Sequence, residues 1–520
     1  MKLRYKILPI ALSGVCVLGL GSCKKTLDDL AANNINVTQA LNASAPTLLT
    51  AAEFGGVMVD EGSFISSGNN VGADGDGFLG IFDQHFAGNH AEGVDYNQYI
   101  VKHNNFEFLF EDAYVSSLKN LQEIIVNAGN DEIGYAGIAE ILQAYQLGYL
   151  TSVYGDLPWS QALNVTLYPN PKYDAQVDIY TAVQNLLSDG ITKCNAGIAA
   201  GEIVTGDVIY PVGGTASSNS VSDLTKWAAT GYLLKARYYN HFSKADPSGS
   251  ATNALLMVDS AKLAGFTANK DAGNFVLPYD GLSGLTTNPW IGMYANGMLV
   301  VNLPFLDTLL NSNDPRLNAY FTSINGVGGG NVYGLGKVID GNVGTGAYME
   351  IGKDAWNYFG QATSSVELAT YPELLMIEAE AAFRSGNLSR AATAHNAAIT
   401  DQVNAVLSLP ASQASDKAKI PAYLATYASE TAGTITLQKI MTEKFKLMFT
   451  MEAESWMDVR RMNYQYPVFE KIPVVDATAA SPVPVAATFI QRLLYPQVEL
   501  DRNAANVPTT TIFDVLPILK

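Results

Sequence analysis

A capped, alanine-rich pair of helices constrains this chain most. Thr370-Tyr371-Pro372-Glu373 has the form of a capping box with proline in the first turn. The threonine oxygen and the glutamate satisfy amides that a helix start leaves without partners. The helix then runs through Leu374, Ile377, Glu378 and Ala381 to Gly386, a residue suited to a left-handed stop. A second helix begins near Leu388. Ala379, Ala382, Ala391, Ala392 and Ala398 are small enough to let two antiparallel helices approach closely. The spacing therefore predicts a mostly α fold.

Helical signals recur along the chain. Ile138, Ile141, Leu142, Tyr145 and Tyr149 fall on one face of a helix. A second helix is expected over Asp174–Ser188, with Val177, Tyr180, Val183, Leu186 and Leu187 inward. Thr225–Phe242 and Leu255–Leu263 read as two more. The last strong helix is expected over Leu437–Asn463. The hairpin around Gly386 is of the tetratricopeptide type, although no clean repeat period tiles the chain. Between the helices lie long irregular stretches. Gly206–Ser222 is rich in Gly, Ser, Thr and Val; Tyr279–Gly297 and Gly326–Gly360 interleave glycines with aromatics. Long loops inside a compact body are usually functional, and surface decoration is the alternative.

The N-terminus is a targeting segment. Lys2, Arg4 and Lys6 precede an apolar run from Ile7 to Leu20, then Gly21-Ser22-Cys23. A basic head, a short apolar core and small residues before a cut site make a secretory signal. A cysteine directly after Leu-Gly-Ser is the pattern of a bacterial lipoprotein. Residues 1–22 are then the signal, Cys23 is the acylated new N-terminus, 23–45 a polar tether and 46–520 the body. An ordinary cleaved signal is the alternative. The protein is expected to lie outside the cytoplasm and to meet the membrane only through its lipid, two acyl chains giving stable anchoring.

The full chain has 520 residues, 48% hydrophobic and 15% charged, with a net charge of −18. Cleavage removes Lys2, Arg4 and Lys6 and no acid. So acidic a body argues against nucleic acid as a partner. Cys16 lies in the signal and Cys23 carries the lipid, which leaves Cys194 without a disulfide partner.

Catalytic motifs are mostly absent: HExxH, a Walker-type loop, CxxC and GxSxG do not occur. Gly75-Asp76-Gly77-Phe78-Leu79-Gly80 matches GxGxxG but follows no Val/Ile strand, so a dinucleotide site fails its context. Asp74 and Asp76 resemble part of a calcium loop, but Gly72 stands where the first ligand belongs. No cofactor is expected; a loosely bound Ca²⁺ is the alternative. His85 and His90 are not spaced as a zinc pair, and no metal site is expected. Carboxylate pairs such as Asp28/Asp29 and Glu452/Glu454 leave a glycosidase open.

Six segments in order resemble the SusD/RagB family of outer-membrane nutrient-binding lipoproteins. They are Tyr154-Gly155-Asp156-Leu157-Pro158-Trp159, Tyr173-Asp174-Ala175-Gln176 with Ile179-Tyr180, and Asn313-Asp314-Pro315-Arg316-Leu317. Glu378-Ala379-Glu380-Ala381, Glu454-Ser455-Trp456-Met457-Asp458-Val459-Arg460-Arg461, and Arg492-Leu493-Leu494-Tyr495-Pro496 with Glu499 and Asn503 complete the set. Val459 departs from the aromatic residue that many relatives carry there. The resemblance implies four tetratricopeptide-like helical pairs with long loops forming a ligand-binding lobe. It also implies an outer-membrane, surface-exposed location and a TonB-dependent, SusC-like barrel as partner, to which an oligosaccharide or peptide is delivered without chemistry.

The motif residues themselves read as scaffold. Arg316 beside Asp314, and Arg460 and Arg461 beside Asp458 and Glu454, look like ion pairs, and Trp456 looks like core. Ligand contacts are better sought in loop aromatics near short amides and carboxylates, because a sugar offers apolar C–H faces and hydroxyls. Asn288 and Asn296 bracket Trp290 and Tyr294. Trp356, Tyr358 and Phe359 lie beside Asp354 and Asn357. His85 and Asn89, with Tyr96 and Tyr99, form a third cluster. A surface glycoside hydrolase and a tetratricopeptide-type interaction adaptor are the competing functions.

Overall fold

The computed structural model describes residues 43–60, 63–66, 69–72, 75–88, 92–129, 131–212, 221–267, 273–282, 287–291, 299–324, 348–467, 469 and 489–520. The chain divides into Met1–Ser44 and a compact unit, Ala45–Lys520. Cys23, Asp74, Asn89, His90, Tyr294 and Asn296 lie outside the described residues.

Among the described residues, four helical pairs follow one another along the compact unit. Helix α1 (Ala45–Asp60) packs on the continuous helical run Glu107–Asn127. Then come α2 (Asp76–Phe82) and the pair α3 (Ile133–Tyr154) and α4 (Gln176–Ala200). The next pair is α5 (Leu224–His241) with α6 (Pro247–Leu263). After the short α7 (Leu303–Asn311), α8 (Tyr371–Arg384) pairs with α9 (Leu388–Val406). Neighbouring pairs touch through α4 against α5 and α6 against α8. The fold is mostly helical, as the patterning predicts.

Glycine makes the α3–α4 crossing close. A Cβ on Gly137 would stand 2.7 Å from the Cys194 backbone nitrogen, and one on Gly190 2.8 Å from the Gly137 carbonyl oxygen. Those pairings, 137 with 194 and 190 with 137 and 141, run the two helices antiparallel. At α8 the capping box forms as the sequence predicts: the Thr370 hydroxyl accepts from the Glu373 amide at 3.3 Å, and Glu373 accepts from the Thr370 amide. Gly386 ends the helix region with φ +77°, and the predicted small residues of α8 and α9 are buried.

Other expectations need correction. The expected one-sided helix α3 is buried on all faces, because helix Lys119–Asn127, α4, α5 and the later α11 cover it. Val177 points outward, 49% exposed; Ile179 takes the inward place beside Tyr180. Asp174 stays out of α4 in a short strand, Tyr173–Asp174, paired with Leu157–Pro158. The expected helix over Leu437–Asn463 is two helices, α10 (Leu437–Leu447) and α11 (Glu452–Arg461). Thr450 between them has φ +75°. Asp76 explains the break: its carboxylate accepts from the amides of Glu452 and Ala453 at 3.0 and 3.1 Å, capping α11 from α2. The Tyr149 hydroxyl also donates to it at 2.7 Å. A carboxyl group so occupied is a helix cap.

Strand pairs connect the loops. Phe86–Gly88 is antiparallel to Leu299–Val301, Phe321–Ile324 to Tyr348–Ile351, and Phe275–Leu277 to Val366–Ala369. Among the described residues no helix is long and apolar enough to cross a membrane.

Candidate functional site

The sequence motifs are struts. Helix α11 shows this residue by residue. Arg461 grips both oxygens of Glu380 on α8, Nη2 to Oε2 at 2.5 Å, and also donates to Asp458. Glu454 accepts from His241 Nε2 at 2.8 Å and lies 3.7 Å from Arg237, both on α5. Burial opposes its ionisation, but these two partners hold its pKa down to about 2. Trp456 is core, and its indole donates to the Tyr464 hydroxyl.

Arg460 departs from expectation. It donates to the carbonyls of Ser152 and Gln491, each at 2.8 Å, with its guanidinium 3.8 Å from the Trp456 ring. Burial lowers its pKa to about 10. Arg316 meets Asp314 two-pronged, at 2.9 and 2.7 Å, and Glu443 and Tyr423 close the cluster. The tail motif does similar work. Tyr495 donates to the Asp156 carbonyl, Glu499 accepts from Tyr173, and Arg492 donates to the Tyr154 carbonyl.

Most of the loop candidates are also interior. His85 is fully buried; its Nδ1 lies 2.5 Å from Glu452 Oε2 and its Nε2 donates to the Phe445 carbonyl at 2.9 Å. Burial alone would lower the imidazole's pKa; Asp83 and Glu452 overturn that and bring it up to about 10. Tyr96 packs edge-on to Phe78 at 4.9 Å, and Tyr99 sits near Phe82. Trp290 is 1% exposed and stacks on Phe86. The Asn288 amide donates to the carbonyls of Phe359 and Ser364, and its oxygen accepts from the Trp290 amide. His85, Tyr96, Asn288 and Trp290 are therefore enclosed, each at most 2% exposed. Asn288 and Asn357 instead shape a loop. Asn357 accepts from the Asp354 amide at 2.7 Å and donates to the Asn318 and Phe321 carbonyls.

That loop, residues 352–365, is where accessible candidates gather. Trp356, Tyr358 and Asp354 are each half-buried. Asp354 accepts from Thr322 at 3.2 Å, and the Tyr358 hydroxyl donates to Glu367 at 3.2 Å. The Ser364 hydroxyl and the Gln361 amide bond back to the Tyr358 and Asn357 carbonyls. A pocket of about 130 Å³ opens beside it, lined by Tyr358, Gln361, Thr363, Ser364, Ser365 and Glu367 with Leu409. Sequence reasoning singled out Tyr358 alone of these. The missed signal was the polar run Gln361–Ser365 directly after the aromatics.

Two larger cavities lie elsewhere. One of about 430 Å³ touches Lys262, Tyr371, Glu378 and Arg390; both cations pair with Glu378, and Arg390 also pairs with Asp259. One of about 650 Å³ includes Asp156, Lys244, Arg492, Phe513 and Lys520. Neither combines two accessible aromatics with side-chain amides and hydroxyls, as the 352–365 loop does.

The family described as SusD-like, starch-binding and associating with the outer membrane, matches residues 69–496. The chain belongs to this SusD-like family. No curated sequence matches significantly. Solved structures share the fold. One described as a chitin-binding protein is 22% identical over 89% of this chain and 95% of its own, with TM-score 0.67. A SusD/RagB family protein from Bacteroides thetaiotaomicron is 21% identical over 89% and 95%, TM-score 0.63. A chitin-binding SusD homolog from Flavobacterium johnsoniae is 20% identical over 82% and 88%, TM-score 0.64. In this SusD-like chain the motifs of the resemblance hold the frame, and the candidate site stands apart from them.

Proposed function

We propose that this SusD-like chain is a lipid-anchored surface protein that binds an oligosaccharide and passes it to a TonB-dependent barrel. The observation that carries the reading is the 352–365 loop: Trp356 and Tyr358 half-exposed beside a polar pocket, on a backbone pinned by Asn288 and Asn357. A pinned loop binds with little ordering cost. The pocket is below the usual size of a ligand cavity, about 300 Å³ or more. It therefore takes a substituent rather than a whole sugar, with the sugar ring lying outside against Trp356. The acetamido group of an N-acetylated sugar has the right mix of methyl and amide for Tyr358, Gln361 and the hydroxyls. Two structural neighbours described as chitin-binding support that choice.

Calorimetric titration with N-acetylated and de-N-acetylated chitin oligomers, starch oligomers and peptides tests it. Binding of the acetylated oligomers alone, recovered uncleaved, supports the reading. A preference for peptides, or recovery of cleaved sugar, overturns it. Delivery is tested separately, by co-purification with a TonB-dependent barrel from the same cells.

A further inference from the structure

Three ligand-type atoms converge on one point deep in the core: Asp83 Oδ2, His85 Nδ1 and Glu452 Oε2, all within 4.8 Å of one another. Nδ1 is 3.1 Å from the aspartate oxygen and 2.5 Å from the glutamate oxygen. Each group is held from behind. Asp83 Oδ1 accepts from the His85 amide at 3.0 Å. Glu452 Oε1 accepts from the Thr450 amide at 2.9 Å. His85 Nε2 donates to the Phe445 carbonyl, which fixes the proton on Nε2 and turns Nδ1 toward the carboxylates. A backbone carbonyl behind the second ring nitrogen is the arrangement that orients metal-bound histidines.

Without a metal, the balancing charge is the imidazolium proton that Asp83 and Glu452 favour at His85, which a metal ion would replace. Two carboxylate oxygens and an imidazole lone pair would repel one another in a site with no exposure, walled by Phe305, Phe445 and Phe449. A positive charge must stand at Nδ1, as a proton or as a metal ion. Thr450, whose amide holds Glu452, also has a buried hydroxyl with no partner among the described residues.

We infer that Asp83, His85 and Glu452 bind a divalent transition metal, of the Zn²⁺ or Mn²⁺ class, as a structural clamp. The imidazole selects against Ca²⁺ and Mg²⁺, which take oxygen ligands. The ion ties the turn after α2 to the start of α11. That turn leads into the strand Phe86–Gly88 and so toward the loop lobe. Enclosure means that the ion enters during folding rather than by exchange.

The test uses the full chain, made in medium supplemented with Zn²⁺ or Mn²⁺ and in metal-depleted medium, and purified without chelators or a metal-affinity step. Metal content is measured by mass spectrometry alongside the thermal midpoint. The expected result is about one equivalent per chain in the supplemented preparation and a higher midpoint than in the depleted one. D83N, which keeps an oxygen for the His85 amide, should retain its circular dichroism spectrum and lose at least about tenfold in metal content. Metal-free protein with the same midpoint from both media would overturn the inference and leave a proton at Nδ1. Stoichiometric metal that D83N and H85Q both keep would overturn the assignment to these residues.

Discussion

Glu373 and Arg237 meet as a two-pronged ion pair, Nε to Oε1 at 2.7 Å and Nη2 to Oε2 at 2.6 Å. The same Glu373 closes the capping box of α8. One carboxylate therefore starts a helix and bolts it to α5 of the preceding pair. Both partners are almost fully buried. Removing Glu373 strips the buried Arg237 of its two-pronged partner and leaves only Glu454, 3.7 Å away, as counter-charge. E373A is expected to lose about 3–5 kcal/mol, seen as a lower denaturant midpoint. A loss below about 1 kcal/mol would mean that the pair is solvated.

Packing at the α3–α4 crossing gives a second expectation. Ala in place of Gly137 puts a methyl against the Cys194 backbone, which has no side-chain freedom with which to give way. G137A should destabilise by about 1–3 kcal/mol despite alanine's better helix propensity. Equal or higher stability in urea unfolding would show that the helices separate without cost.

A pH effect comes from Glu53 on α1. Burial raises its pKa well above the ordinary carboxylate value, and the charge of Asp207 adds to this. Val208 donates its amide to Glu53 at 2.8 Å, but burial and the nearby Asp207 charge oppose ionisation of the glutamate. The folded state thus keeps a proton that the unfolded chain releases near its ordinary value. The stabilising contribution is complete in acid and declines as pH rises above that value, by up to about 1.4 kcal/mol per pH unit from this group. E53Q keeps the donor and cannot ionise. It should match wild type near pH 4 and exceed it at pH 8 in chemical denaturation, and parallel profiles would show that Glu53 is ionised when folded.

Ligand binding should depend on Trp356 more than on the buried Trp290. W356A is expected to weaken the bound oligosaccharide by about 2 kcal/mol, roughly thirtyfold in Kd, with an unchanged thermal midpoint. Unchanged affinity in calorimetry would move the site away from the 352–365 loop.

The proposed lipid anchor is Cys23. C23A should move the protein from the membrane fraction to the soluble one, as an immunoblot of the separated fractions reads. Continued membrane association would place the anchor elsewhere.

Local chemistry made the helices readable. Thr370, Glu373 and Gly386 mark their ends with side chains and backbone that act within a few residues. The break at Thr450 was not readable, because what stabilises it is the Asp76 carboxylate, far away in sequence. Val177 misled for a related reason: apolar spacing left two adjacent faces open, and Ile179 took the core. At the candidate site residue type was the right clue with the wrong resolution. Asn288 beside Trp290 and Asp354 beside Trp356 look alike in sequence, yet the first pair is the interior of a loop and the second its rim. Only backbone carbonyls distributed over several segments decide which amide turns inward.

Helix α11 reaches α2 through Asp76, α3 through Ser152, α5 through His241, α8 through Glu380 and the C-terminal tail through Gln491. Five separate segments are thereby tied to one ten-residue spindle. The proposed ligand rim around Trp356 and Tyr358 takes no part in these contacts, so substitutions there leave the spindle as it is.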